Sequence, residues 1–136
     1  MPLNLDAYLG VHADALKLRS QRTEVLARNL ANADTPGYQA RDMDFKAALA
    51  QATGSADAPV ALKTTHANQI AAPIDASGET NANLKYRVPM APSLDGNTVD
   101  VQMEQANFAE NSVRFQATLT FLNARFRNLM TAITGG

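Results

Sequence analysis

The sequence has no cysteine, which removes disulfides, thiolate metal sites and cysteine nucleophiles together. It has no tryptophan either, aromatics are only 6% of the chain, and alanine supplies much of its 46% hydrophobic content. A chain of 136 residues is long enough for one domain, but side chains that fill a core are too scarce for a self-sufficient globule. Charge of one sign is missing as well. Twelve basic against thirteen acidic residues leave a net charge of −1 and no broad electrostatic drive toward nucleic acid or an anionic membrane. No apolar run approaches membrane-spanning length. Met1-Pro2-Leu3-Asn4-Leu5-Asp6 lacks the basic n-region and continuous apolar h-region of a secretory signal, so the expectation is a soluble protein that is not a Sec substrate.

The usual carriers of chemistry are also missing. There is no glycine-rich phosphate loop and no Gly-x-Ser-x-Gly elbow. His12 and His66 have no metal-ligand partner at helical or hairpin spacing, and His12, at the edge of an apolar helix face, reads as an interface residue. Asp42 and Asp44 read as a solvated turn residue and a helix cap rather than a paired acid and base. The expectation is a protein that is not an enzyme, with no cofactor, metal, small-molecule substrate or nucleic acid.

What is present is helical periodicity at both ends. From about Leu5 to Ala31 there is no proline, and a helix of that length would be about 40 Å long. At 100° per residue, Leu5, Leu9, Ala13, Leu16, Leu26, Ala27 and Leu30 share one face, and Val11, Leu18 and Val25 form a second stripe nearly opposite. From about Val99 to Ile133, the positions Val101, Phe108, Phe115, Leu122 and Leu129 repeat every seven residues. Leu119, Phe126 and Ile133 follow four places on, although Gln105 and Ser112 leave the early part of that second register polar. Asn97-Thr98 or Asp100 is placed to cap this helix. Two arrangements fit: both helices folded into one small core, or the terminal helices paired with the Val11/Leu18/Val25 stripe left for another molecule.

The middle differs in character. Asp44 is placed to cap a short helix over Phe45–Ala52 that stops before Gly54. Residues 53–98 are rich in Ala, Thr, Ser, Asn, Gly and Pro, a composition that resists long regular structure until something packs on it. Lys85-Tyr86-Arg87-Val88 and Val60-Ala61-Leu62-Lys63 read as short strands able to pair as a small ribbon. The fold expected is mainly α, with long N- and C-terminal helices pairing as a coiled coil and a short helix with loops and short β in between. The corresponding segments are 1–33, 34–98 and 99–136.

Asn29-Leu30-Ala31-Asn32-Ala33-Asp34-Thr35-Pro36-Gly37-Tyr38 lies where the first helix ends. Asn32 suits the left-handed end of a helix, Thr35 before proline favours an extended conformation, and Pro36-Gly37 suits the centre of a type II turn. As a whole, after an amphipathic N-terminal helix, this decapeptide resembles the signature of the bacterial flagellar axial proteins, the rod and hook family. Gln39-Ala40-Arg41-Asp42-Met43-Asp44-Phe45, Tyr86-Arg87-Val88-Pro89 leading to Leu94-Asp95-Gly96-Asn97, and Phe108-Ala109-Glu110-Asn111 leading to Gln116–Asn123 are similar to the family's proximal-rod members.

That resemblance implies a structural role. Its members pair their terminal helices into a coiled coil lining a hollow axial tube, and they leave the cytoplasm unfolded through the flagellar type III export apparatus without a cleaved signal. It implies Leu9, Leu16, Leu26, Leu30, Phe108, Phe115, Leu119, Leu122, Phe126, Leu129 and Ile133 as helix-pairing and subunit-interface residues, with Val11, Leu18 and Val25 turned toward a neighbour. The implied partners are other rod subunits, the adaptor protein at the rod base, the export gate and further copies of this chain. Export determinants are carried loosely onto Leu3-Asn4-Leu5 and Met43-Asp44-Phe45. On the residues alone, a soluble helical adaptor or export chaperone, or another axial subunit of the same family, uses the same helices.

Overall fold

The computed structural model describes residues 9–54, 83–91 and 93–135. The order of elements is α1 (Val11–Ala31), β1 (Arg41–Met43), α2 (Phe45–Ala52), β2 (Leu84–Tyr86) and α3 (Val101–Thr134). The fold is mainly helical. α1 and α3 lie antiparallel, as shown by the contacts of Asn29 with Glu104 and of His12 with Phe121 at opposite ends of α1. The helix expected from Leu5 is interrupted at Gly10, which follows helical Leu9 and takes φ 53° and ψ −143°, a conformation that glycine adopts without penalty; α1 starts at Val11. Leu3, Asn4, Leu5 and the proposed strand at 60–63 lie outside the described residues.

α3 is capped by Asp100, whose Oδ1 accepts from the N–H groups of Gln102 at 3.0 Å and Met103 at 3.2 Å. It ends at Gly135, left-handed with φ 81°, whose N–H reaches the Thr131 carbonyl at 3.1 Å. Asp44 caps α2 as expected, accepting from the Ala47 N–H at 3.2 Å. The ribbon differs from expectation. β2 is Leu84–Tyr86, and it pairs antiparallel with β1 in the register Arg41↔Tyr86, Asp42↔Lys85 and Met43↔Leu84. A two-stranded ribbon needs a surface beneath it, and β1 packs directly on α1.

Among the described residues the buried apolar side chains are Leu26, Ala40, Ala48 and Leu122, two of them alanines. Arg19, Asn29, Asn97, Glu104, Asn111 and Thr118 are buried beside them. The expected seam is therefore only half apolar. Phe108, Phe115, Leu122 and Leu129 lean toward α1, but the second row facing it is Glu104, Asn111 and Thr118, at the same seven-residue spacing. Leu119, Phe126 and Ile133 instead stand outside the helix pair, at 40, 42 and 67% exposure. Two members of the polar row find partners on α1, while Thr118 Oγ1 donates to the Arg114 carbonyl of its own helix at 2.9 Å. The Asn111 amide donates to the Arg19 carbonyl at 3.0 Å and to Thr23 Oγ1 at 2.9 Å, and Asn29 meets Glu104. Leucine and phenylalanine at 119 and 126 have no such demand to satisfy.

Candidate functional site

The decapeptide runs from the last turn of α1 into a tight turn. Thr35 to Tyr38 form the expected turn: the Tyr38 N–H reaches the Thr35 carbonyl at 3.2 Å, and Gly37 takes φ 72°. Asn32 departs from expectation, with φ −106° and ψ 19°. A left-handed reversal is unnecessary there, because Asn32 meets the Arg28 carbonyl with both its N–H and its side-chain amide, the Ala33 N–H meets Leu30, and the carbonyls just beyond the helix are met from elsewhere. The Asn97 amide donates to the carbonyls of Asn32 at 3.0 Å, Ala33 at 2.8 Å and Thr35 at 2.9 Å, while its Oδ1 accepts from the Val99 N–H at 2.8 Å. Asn97 thus ties down the loop that follows α1 rather than capping α3.

The segment before α3 runs along the segment after the turn. Gly37 N–H donates to the Asp95 carbonyl at 2.9 Å, Thr98 N–H to the Tyr38 carbonyl at 3.0 Å, and Ala40 N–H to Thr98 Oγ1 at 2.7 Å. Gly96 comes so near Gly37 that a Cβ on Gly96 would sit 3.7 Å from the Gly37 Cα.

Beneath this clasp lies a chain of charges linking α1, the ribbon and α3. Arg22 makes a two-pronged pair with Asp42, both contacts 3.0 Å. Asp42 also receives Arg87 at 2.7 Å, and the other arm of Arg87 binds Glu104. Glu104, with no exposed surface, takes Asn29 Nδ2 at 3.2 Å. Asn29 is used fully: its amide also donates to the Arg41 carbonyl at 2.6 Å, and its oxygen accepts from the Tyr38 hydroxyl and the Arg41 N–H, each at 3.2 Å. Asp42 is therefore no solvated turn residue.

Burial pulls the Asp42 carboxyl upward, but the hydrogen bonds and charge of Arg22, the Met43 N–H and the Arg87 charge together outweigh it and hold it below its ordinary value. Glu104 goes the other way. Burial raises it, helped by the Asp42 charge, and the Asn29 amide and the Arg87 and Arg22 charges offset this only in part. The Asp42 hydrogen bond raises the Arg22 guanidinium against the opposing effect of burial. These arrangements hold segments in register. Nothing in them presents a reactive group to a substrate, and no group of His, Asp and Glu among the described residues is set to hold a metal.

The remaining candidates sort by position. Among the pairing residues, Leu26 is buried at the joint, while Leu9, Leu16, Leu30, Phe108, Phe115 and Leu129 are half-buried. On the second stripe of α1, Leu18 and Val25 are half-buried and Val11 is 42% exposed. His12 stacks obliquely on Phe121, ring centroids 5.9 Å apart. Arg19 lies over the Phe45 ring at 4.1 Å and fixes α2 to α1. Sequence reasoning missed Arg22, Arg87, Asn97 and the inward side of Glu104. One signal was available for the last: Glu104, Asn111 and Thr118 repeat every seven residues, as a seam does.

A pair of long helices that buries a polar row and leaves a large apolar row outside has the make-up of a structural, helix-pairing protein. Residues 9–39 match the family described as flagella basal body rod protein. The chain is 50% identical over 127 residues to the flagellar basal body rod protein FlgB of Cereibacter sphaeroides, covering 93% of this chain and 94% of the relative. It is 47% identical over 135 residues to that of Escherichia coli K12, covering 97% and 96%, and 46% identical over 139 residues to that of Salmonella typhimurium, with the same coverage. The chain belongs to the FlgB family of flagellar basal body rod proteins, a structural and not an enzyme family. It is a structural subunit of the flagellar basal-body rod. No helix among the described residues is long and apolar enough to cross a membrane.

Proposed function

We propose that this chain is a proximal-rod building block that self-assembles through its terminal helices into a hollow axis, which transmits torque and passes exported subunits. The observation that carries this reading is the outer row of α3. Leu119, Phe126, Met130 and Ile133 recur at helical spacing on one face, at 40, 42, 62 and 67% exposure. A continuous apolar stripe of this kind is costly in water and is relieved by burial against a neighbour, at about 25 cal/mol per Å2. Val11, Leu18 and Val25 offer a second, smaller face on α1. Partners on these faces are other rod subunits and further copies of this chain, with the adaptor protein at the rod base and the export gate below them. The segments 1–33 and 99–136 supply the coiled coil and 34–98 the joint and outer part. Travel through the type III apparatus without a cleaved signal, and a place in the rod across the periplasm, follow from the same reading.

Fractionation tests it. The rod reading requires this chain in purified, detergent-resistant basal bodies, in fixed proportion to other rod proteins. Recovery only in the soluble fraction, bound to an export component, would instead identify an adaptor or chaperone.

A further inference from the structure

Asp95-Gly96 is the one place in the sequence where an aspartate or asparagine precedes a glycine. Such a pair is chemically labile, because glycine puts no side chain in the way of its own amide nitrogen, which lies next to the preceding side-chain carboxyl in the chain. The Gly96 nitrogen can bond to Cγ of Asp95 while the protonated carboxyl gives up its hydroxyl, which leaves as water with the amide proton. The product is a five-membered cyclic imide. Water then adds back at one of the two imide carbonyls. At Cγ it restores aspartate; at the main-chain carbonyl it leaves isoaspartate, with the chain routed through Cβ and Cγ. One water leaves and one returns, so the rearrangement needs no oxidant, reductant or further reactant.

Leu94, Asp95 and Gly96 are exposed, so water reaches the pair and burial gives it no protection. Hydrogen bonds hold the reacting groups instead. Asp95 Oδ1 accepts the Asn97 N–H at 3.1 Å, which engages the carboxylate beyond Gly96 and keeps it below its ordinary value, ionised and without a good leaving group. The Asp95 carbonyl accepts the Gly37 N–H at 2.9 Å, and the Gly96 N–H meets the Ser93 carbonyl at 3.4 Å, so the peptide between them is held on both sides. Beyond it, Asn97 is tied to three carbonyls of the loop after α1, and Thr98 to Tyr38 and Ala40. We propose that Asp95-Gly96 is a site of spontaneous isoaspartate formation that the clasp between the signature turn and the approach to α3 holds shut, so that the bond rearranges only in chains whose clasp is open. Rearrangement adds one carbon to the main chain and moves the carbonyl that Gly37 uses, so a rearranged chain can no longer make the Gly37 and Asn97 contacts together.

The test incubates the purified full-length chain at mildly acidic pH, in buffer and in denaturing urea, and measures isoaspartate at each aspartate by mass spectrometry of its peptides. In urea, isoaspartate is expected to build up at position 95 faster than at any other aspartate. In buffer the rate at 95 falls by about tenfold or more, because reaction then waits on opening of the clasp. Asn97→Ala removes the amide that holds the Asn32, Ala33 and Thr35 carbonyls, and it should bring the buffer rate back toward the urea rate with helix content unaltered. If it lowers helix content, Thr98→Val, which removes the acceptor of the Ala40 N–H, takes its place and the same direction of change is required. Absence of isoaspartate at 95 in urea would show that the bond is not labile. Equal rates in buffer and urea would show that the fold does not protect it, and a folded clasp variant with the native rate would place the protection elsewhere. Each of these three results overturns the proposal.

Discussion

Asn29, at the end of α1, donates a hydrogen bond at 3.2 Å to Glu104, which is wholly buried in the first turns of α3. These residues are 75 positions apart, and their contact brings the signature decapeptide, the ribbon and the start of the C-terminal helix to one point.

Truncating Asn29 removes every one of its four partners' bonds at once. Asn29→Ala leaves Glu104 and the Arg41 backbone short of buried partners, at a cost of about 1–3 kcal/mol. Urea unfolding followed by circular dichroism should show a lower midpoint, and Asn29→Asp should be worse, because it sets a second carboxylate against Glu104. An unchanged midpoint for both would show that the node contributes no stability.

The two carboxylates of the node respond to pH in opposite senses. Asp42 is held below its ordinary value of 3.8, so its contribution is present above that pH and is lost as pH falls through the depressed value. Glu104 is raised above its ordinary 4.5, so its contribution is present below 4.5 and is lost as pH rises through the raised value. Glu104→Gln should therefore flatten the decline in stability above pH 4.5, and Asp42→Asn should flatten the decline below pH 3.8. Unfolding free energies of the three proteins measured across this range check both signs.

Gly37 has no heavy atom within 4 Å of a Cβ built on it, yet its φ is 72°. Gly37→Val thus meets no clash and costs only the left-handed backbone, about 1–2 kcal/mol. Gly37→Ala should cost less than Gly37→Val, because a β-branched side chain adds its own strain at positive φ, and both should lower the urea midpoint of the isolated chain. An unchanged midpoint for both variants would show that the positive φ at Gly37 imposes no strain.

Much of the fold was legible because it depends on local rules. The caps at Asp44 and Asp100, the turn at Pro36-Gly37 and the apolar row through Phe108, Phe115 and Leu122 all follow from spacing and side-chain type. What escaped depends on partners distant in the chain. Asn97 looks like a cap for the helix that follows it, and only the fold shows that three carbonyls in the loop after α1 take its amide. Glu104 looks like a charge placed for a helix dipole, yet Asn29 and Arg87 draw it inside. The same displacement turned Leu119, Phe126 and Ile133 outward, since a seam with a polar row has no room for a second apolar one. The pairing of Leu84–Tyr86 with Arg41–Met43 escaped for a related reason: nothing local marks Arg41–Met43 as a strand, and the ribbon forms where α1 supports it.

Leu122 and Phe126 separate folding from assembly. Leu122 is 6% exposed between the helices, so Leu122→Ala should destabilise the isolated chain by about 2–5 kcal/mol. Phe126, at 42% exposure, should tolerate alanine in the isolated chain with little change. The order of the two urea midpoints checks the assignment of inner and outer rows.

The central claim is that the outer apolar row of α3 builds the rod while the inner polar row only aligns the helix pair. Its most direct test is the amount of Phe126→Asp chain in purified basal bodies, measured beside the helix content of the same variant as an isolated chain. The account predicts unaltered synthesis and helix content with no incorporation, because assembly would bury an unpaired charge. Phe126→Asp cells that build normal rods and swim normally would contradict it.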